Sequence, residues 1–520
     1  MSKPGIFTSQ NGKSLALPFI LVTSLFLLWG FCNGMIDVMD KHFQQELHLT
    51  LAQSAWVQFA HYLGYFLMAM PAGWLASKLG YKGGIIAGLL MVAVGGFWFI
   101  PATQIATFPA FLLGVCVIAS GLTFLETVAN PYTTVLGPKQ YAATRINLAQ
   151  SCNGIGWIFG PIAGAAFFYG KDANGQSTGS ATLWIPYAAI GVVVLLLAVV
   201  FYFANIPDIK SEDEFHLDDS DSVTGKVPVA NRGVALGFLW LNIVVLSVAV
   251  GMIVSAIVAI PAVGAMLGMT ENEALLYASG VLLAIGTGVF FLMSGKITNH
   301  SIWSHPHFSG ATLTQFFYVA AQCGIFAYFI NYMTSQIPEI PHAWKDGMFG
   351  GWFEIHANGL LGLSDKGASN LASGGFMFFL VGRFIGAGLL KKFSAHNVLA
   401  LFAFLAGLCS LLVFLKIGWI SAFAVFLSYF FMSIMFPTIF SLGIHGLGAR
   451  AKKASSFIVM AIMGGAIMPK LMGHIADVHG MSAGFIVPLI CFVVVACYGY
   501  FWSKLSGTGG VVGMAATKGH

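Results

Sequence analysis

Two carboxylates stand inside stretches that are otherwise apolar. Asp37 lies near the end of the run 17–39, and Glu126 lies in the middle of the run 108–136. An ionisable group surrounded by hydrocarbon is costly and marks a functional position by default. Nothing adjacent in sequence can neutralise Glu126. A carboxyl group so placed can take up and release a proton as its surroundings close and open. The competing reading is a structural acid held permanently neutral or hydrogen-bonded. That reading is easier for Asp37, whose place near a rim favours solvation.

Helical spacing gathers neutral polar groups around both acids. Asn33 and Asp37 are i and i+4. Thr123, Glu126 and Asn130 share another face, just before Pro131. Asn147, Gln150 and Asn153 form one stripe, with Gly154 and Gly156 allowing close approach. Gln58, His61, Tyr62 and Tyr65 form a further stripe, as do Gln315, Tyr318 and Gln322. Asn331 is nine residues beyond Gln322 and joins that set only if its helix bends, with Gly324 as the candidate hinge. A water-filled path needs such stripes, because lipid-facing sides stay apolar. Amides and carboxylates suit sugar hydroxyls, which both donate and accept. Trp29 is placed to stack on the apolar face of a sugar ring. Any single amide serves equally well as interhelical glue.

The elements that must carry these groups follow from composition. The chain has 520 residues, 58% hydrophobic and only 8% charged, too little charge to cover a soluble surface. Fourteen apolar segments between residues 17 and 503 are long enough for helices that cross a bilayer. The predicted organisation is a six-helix bundle at 14–205, an acidic cytoplasmic linker at 206–233, two additional helices with their loop at 234–307, and a second six-helix bundle at 308–505. The loop 334–370 contains Trp344, Trp352 and Phe353 and reads as an interfacial helix or a lid over one mouth. With the N-terminus in the cytoplasm, only Lys41, Lys171, Lys345, Lys366 and Lys416 of the 24 lysines and arginines fall on the far side, and Lys470 lies inside a helix. That bias sets the orientation, with both termini cytoplasmic in an inner or plasma membrane. The start, Met1 to Lys13, is polar and has no signal-peptide pattern.

The halves repeat one another. Gly73 to Lys82 follows the second helix, and Gly388 to His396 follows its counterpart; Pro131 precedes Leu136-Gly137 as Pro437 precedes Leu442-Gly443. Two related halves with a site between them are the signature of a repeat-built transporter. Other chemistries find little footing. The seven cysteines are scattered singly, with no CxxC pair. Gly83-Gly84 opens no phosphate loop, and no nucleophile–base pair sits in a soluble domain, so neither an enzyme nor an ATP-driven pump is expected. No cofactor, metal or nucleic-acid partner is expected. His305-Pro306-His307 reads as a solvated loop, and Lys470 as a snorkelling or hydrogen-bonded lysine.

Phe26-Leu-Leu-Trp-Gly30 through Asp37, Gly121 to Pro131, Arg145 to Gln150, Pro437 to Ile444 and Ser455 to Met460 together carry a resemblance. The chain resembles the fucose–galactose–glucose:proton symporter family of the major facilitator superfamily. The resemblance implies an all-α membrane protein of two six-helix bundles around a V-shaped cavity. Two central helices would be additional, giving fourteen spans. It implies coupling carboxylates at Asp37 and Glu126, and polar fifth-helix positions at Asn147, Gln150 and Asn153. Asn331, Phe436 and Gly34 depart from the family pattern of arginine, tyrosine and asparagine, which favours a hexose other than fucose, or an amino sugar. The expectation is proton-coupled uptake of a monosaccharide by a monomer in a lipid bilayer, with a glucose-, galactose-, fucose- or N-acetylglucosamine-type substrate. The candidate substrate-binding set is Asn33, Asp37, Glu126, Asn130, Asn147, Gln150, Asn153, Gln315, Gln322 and Asn331. Sodium coupling is the nearest variant. A multidrug antiporter and a non-transporting sugar sensor are the alternatives of a different kind.

Overall fold

The computed structural model describes residues 14–137, 142–169, 182–206, 232–259, 261–297, 301–345, 350–356, 359–390, 393–445 and 451–506, with Phe7, Gly347 and Leu447. Nearly all of the expected linker, 207–231, lies outside them, as do the side chains of Asn130 and Asn147.

The described residues of the fourteen apolar segments are mainly helical. The first half contains α1 (Ala16–Glu46), a single turn α2 (Leu51–Ser54), α3 (Trp56–Ile105), α4 (Phe108–Val135), α5 (Ala142–Phe168) and α6 (Trp184–Phe203). Helix α3 is two arms joined at Gly80, whose φ of 70° lies in the left-handed region where only glycine is at ease. This is the glycine–basic turn anticipated between Gly73 and Lys82. Next come α7 (Arg232–Val258), the short α8 (Pro261–Leu267) and α9 (Glu271–Ser294). The second half contains α10 (Pro306–Ala327), α11 (Phe329–Ser335), α12 (Asp365–Leu390), α13 (Ala395–Phe414), α14 (Gly418–Met432), α15 (Met435–Ile444), α16 (Ala451–Met460), α17 (Gly464–His479), α18 (Met481–Gly484) and α19 (Ile486–Ser506). Among the described residues, eleven helices are long and apolar enough to cross a membrane, or twelve with α10 and α11 taken as one bent span.

Four expectations are corrected. Helix α1 runs to Glu46, about two turns past the apolar run, so Asp40, His42 and Gln44 are buried within it. Among the described residues of the segment 334–370 there is no interfacial helix; it holds two short 3-10 turns and a two-stranded hairpin, β1 (Phe353–Ile355) against β2 (Leu361–Leu363). The bend that frees Asn331 from the α10 register is at Tyr328, not Gly324: α10 and α11 meet at 45°. His305 and His307 are buried at the head of α10, and the His307 ring nitrogen lies 2.9 Å from the His445 carbonyl oxygen.

The additional pair α7–α9 packs outside the bundle. Phe59 of α3, Ala249 and Met252 of α7, Phe316 of α10 and Met463, Ala466 and Ile467 around the start of α17 make one apolar cluster. Asn242 of α7 donates to the Ser309 carbonyl at 3.0 Å. Lys470 of α17 lies 3.7 Å from the Trp56 ring centroid and 3.9 Å from the Glu271 carboxylate. It therefore serves as an anchor between the bundle and α9. Leu276, Phe291 and Leu292 of α9 are exposed, as a lipid-facing helix requires.

Candidate functional site

Helix α1 is held against α5 by glycines. A Cβ on Gly30 would sit 2.0 Å from the Asn153 carbonyl oxygen, and one on Gly156 would sit 2.2 Å from the Leu27 carbonyl oxygen. Gly34 fits against Trp157 and Gly160 in the same crossing, so an asparagine there would be crowded. This crossing points Asn33 and Asp37 toward α3 and the second half.

Asp37 is buried, and its Oδ1 accepts from the Gln58 side chain at 2.7 Å. Its other oxygen and the Asn33 side-chain oxygen have no partner. Around them lies a cavity of about 10 Å³, room for a single water. It is lined by Asn33, Ile36, Asp37, Gln58, His61, Tyr62, Trp157, Cys323 and Phe326. Both halves contribute: the Cys323 thiol of α10 donates to the Tyr62 hydroxyl at 2.9 Å, and Trp157 of α5 meets Phe326 edge-on at 5.7 Å. A sugar needs far more room than this cavity offers.

The polar face of α3 continues from Asp37 toward the second acid. His61 packs between Tyr62 and Tyr65, 5.0 and 5.1 Å between ring centroids, with Nδ1 unpartnered. Trp29 donates its indole N–H to the Tyr65 hydroxyl at 2.6 Å. Tyr65 is near enough to Glu126 to feel its charge. Glu126 is only half-buried. The stripe Gln58–His61–Tyr62–Tyr65 thus spans the space between the two carboxylates.

The remaining candidates are distributed unevenly. Gln315 of α10 is fully buried, and neither amide atom has a partner. Gln150 is half-buried on α5, and its carbonyl oxygen lies 3.5 Å from an Arg383 guanidinium nitrogen. Gln322 is half-buried on α10. Asn153 is spent on packing, since its amide donates to the Phe26 carbonyl at 3.2 Å. Asn331 is not at the cavity: its amide donates to the Gln44 side chain on α1. Asn130 and Asn147 are placed on α4 and α5 only by their backbones.

The halves are locked together on the face that carries the β1–β2 hairpin, here the hairpin face. Asp365 at the head of α12 pairs with Lys41 at 3.7 Å and accepts from Gln45. Asp477 of α17 accepts from the Leu51 backbone N–H at 2.9 Å, and the Tyr328 hydroxyl donates to the Leu51 carbonyl at 2.8 Å. Ser369 and Ser373 of α12 donate to the Pro161 and Ile158 carbonyls of α5 at 2.9 and 2.7 Å. The mouth on this face is shut.

Sequence reasoning missed Trp157, Cys323 and Phe326 at the cavity. Trp157 carried a signal, being i+4 from Asn153 on the amide stripe. Arg383, read only as a charge at or near the cytoplasmic face, lies inside α12, donating to the Ser433 carbonyl at 3.3 Å and stacking 4.8 Å from the Phe379 ring. Arg145, also placed near a loop, is fully buried; its guanidinium reaches the Thr133 and Gly137 carbonyls at 3.0 and 3.3 Å and caps α4.

A two-halved helical bundle with polar groups gathered along its seam is the architecture of a membrane solute carrier. Residues 19–337 match the family model described as Major Facilitator Superfamily, and the chain belongs to that superfamily. It is 34% identical over 512 residues to the L-fucose-proton symporter of Escherichia coli strain K12, covering 95% of each chain. It is 28% identical over 498 residues to a glucose/galactose transporter of Brucella abortus, covering 96% of each. Among solved structures it is similar to the E. coli fucose:proton symporter FucP in the outward conformation. That match has 30% identity and a TM-score of 0.57, covering 94% of this chain and 100% of the other. A POT family transporter bound to 5-aminolevulinic acid, at 13% identity and a TM-score of 0.65, covers 96% of this chain and 98% of its own; it shares the fold. The protein is a multi-pass membrane protein.

Proposed function

We propose that this protein takes up a hexose-type monosaccharide together with a proton by alternating access. The observation that carries the reading is the polar face of α3, which runs between Asp37 and Glu126 at the seam of the two halves. The symporter and sugar-transporter names of the full-length relatives support the substrate class and the proton. Asp37, with Asn33, binds sugar hydroxyls or controls the hairpin-face gate. Glu126 carries the proton, because a bare carboxylate at mid-membrane costs several kcal/mol and its neutralisation lets the loaded halves rock. Asn130, Asn147, Gln150, Gln315 and Gln322 complete the sugar site. Asn153 and Asn331 act through α1, by packing and by the seal. The working units are the bundle 14–205, the linker 206–233, the added pair 234–307 and the bundle 308–505. The hairpin face is extracytoplasmic, and both termini lie in the cytoplasm at the inner or plasma membrane. The carrier works as a monomer and acts on its solute without converting it.

The test is Glu126→Gln in proteoliposomes, measuring uphill uptake driven by a pH gradient and, separately, sugar counterflow. Loss of uphill uptake with counterflow retained is expected. Undiminished uphill uptake sinks the role of Glu126. Uptake that requires sodium and ignores the pH gradient selects a sodium symporter instead.

A further inference from the structure

A third carboxylate lies three residues beyond Asp37 on α1. Asp40 is 0% exposed, and neither of its oxygens has a hydrogen-bond partner. It does not line the central cavity. The side chains close to it, Ser54, Gln44 and Lys41, each have another partner in this arrangement. Gln44 donates to the Ser54 hydroxyl at 2.8 Å, and Ser54 in turn to the Leu51 carbonyl at 3.0 Å. The Tyr328 hydroxyl goes to Leu51, and the Tyr169 hydroxyl to the Val38 carbonyl at 3.3 Å. Lys41 pairs with Asp365, and Asp477 holds the Leu51 N–H. The nearest acid, Asp37, repels a negative charge there. An ionised carboxylate so enclosed is strongly disfavoured. A neutral one is not, since its own O–H becomes a donor to the oxygens around it.

Two of the groups around Asp40 also help to shut the hairpin face: Tyr328, through the Leu51 carbonyl, and Lys41, through Asp365. Parting α1 and α2 from Tyr328 and Asp365 opens a way for water to Asp40, which then ionises. We propose that Asp40 is a second proton-binding residue of the transport cycle, one that must be protonated for the hairpin-face mouth to close. The inference rests on the alternating-access reading above, and adds to it a gate whose closed form is favoured by acid. For one proton, the ratio of closed to open mouths changes by at most about tenfold per pH unit.

Ser369 supplies the probe. It is fully buried in the shut mouth, with its hydroxyl on the Pro161 carbonyl. Ser369→Cys, in a chain whose seven native cysteines are replaced, is purified in detergent and labelled with a maleimide across a pH series without sugar. With Asp40 intact, labelling should accelerate with pH more steeply than the thiol's own ionisation accounts for. With Asp40→Asn, which mimics the protonated acid, labelling should stay slow and keep only the thiol's dependence. Asp40→Asn that labels fast at every pH, or that keeps the full pH dependence, overturns the proposal. Asp40→Ser is read in the same way if the asparagine variant does not fold. Glu126→Gln should keep the steep dependence; if it alone abolishes it, the proton belongs to Glu126 and the proposal fails. Because neither sugar nor a gradient is used, failure here is distinguishable from failure of proton-coupled sugar uptake.

Discussion

The α1–α5 crossing makes a sharp prediction, because it rests on backbone atoms that cannot swing aside. In Gly156→Ala the new Cβ would lie 2.2 Å from the Leu27 carbonyl oxygen, 2.6 Å from the Phe31 nitrogen and 2.9 Å from the Gly30 carbonyl carbon. Restoring even a tight contact requires the helices to part by about 0.8 Å over this turn, and overpacking of this kind costs about 1–3 kcal/mol. Three rigid backbone neighbours place the cost near the upper end. The substitution also raises intrinsic helix propensity by about 1 kcal/mol. The net expectation is a loss of about 2 kcal/mol. Gly288 on α9 is the control, with nothing within 4 Å of its would-be Cβ. There the propensity gain stands alone, and Gly288→Ala should be neutral or up to about 1 kcal/mol more stable. Thermal unfolding of the purified variants in one detergent reads both. A Gly156→Ala protein as stable as the parent, or a Gly288→Ala protein that falls as far, refutes the packing reasoning.

Three further outcomes follow from particular contacts. Asp365→Asn removes the partner of Lys41 at a partly exposed site, 16% for each side chain; a loss of about 1 kcal/mol at most should raise the open-mouth population about fivefold or less, read as faster labelling of Ser369→Cys. Gln58→Leu strips Asp37 of its donor; a hydrogen bond to an acid contributes about 1.5–3 kcal/mol, so half-saturating sugar should rise about tenfold or more, and unchanged uptake kinetics discard the positioning role of Gln58. A double-mutant cycle between Lys470→Met and Glu271→Gln should give a coupling below about 1 kcal/mol, with Trp56→Ala costing more than Glu271→Gln in thermal stability. The opposite order would mean that the ion pair, not the ring, anchors α9.

Much of the architecture was legible because a bilayer imposes one-dimensional rules. Apolar length and the repeat of Gly73–Lys82 at Gly388–His396 are local signals. The turn at Gly80 could be anticipated because only glycine serves there. Local signals fail where a polar residue's partner is remote. Asp40-Lys41 reads as a solvated helix end. Asp40 is buried, with Ser54 and Tyr328 beside it, and Tyr328 lies at a sequence distance no periodicity reports. Asn153 reads as a sugar ligand by its stripe, but a glycine crossing with α1 turns it to the Phe26 carbonyl. Asn331 reads as part of the α10 register until the bend at Tyr328 carries it to Gln44. Arg383 reads only as a charge near the cytoplasmic face, because its partner at Ser433 lies fifty residues on.

By itself, then, the sequence determined that the chain must cross a membrane many times in two related halves, and that Asp37 and Glu126 need protection from lipid. Hydrophobic cost is additive along the chain, so it can be read residue by residue. Only the tertiary structure decided which polar groups meet: Asp37 with Gln58, Tyr65 near Glu126, Lys41 with Asp365, and Asp40 buried with neither oxygen hydrogen-bonded. A hydrogen bond acts over about 3 Å and depends on the tilt of whole helices, which is set by close packing at Gly30, Gly34 and Gly156 and by the bend at Tyr328. The tertiary structure also decided the state of the mouth. Its closing contacts, Lys41 with Asp365 and Leu51 with Asp477, join residues far apart in the sequence.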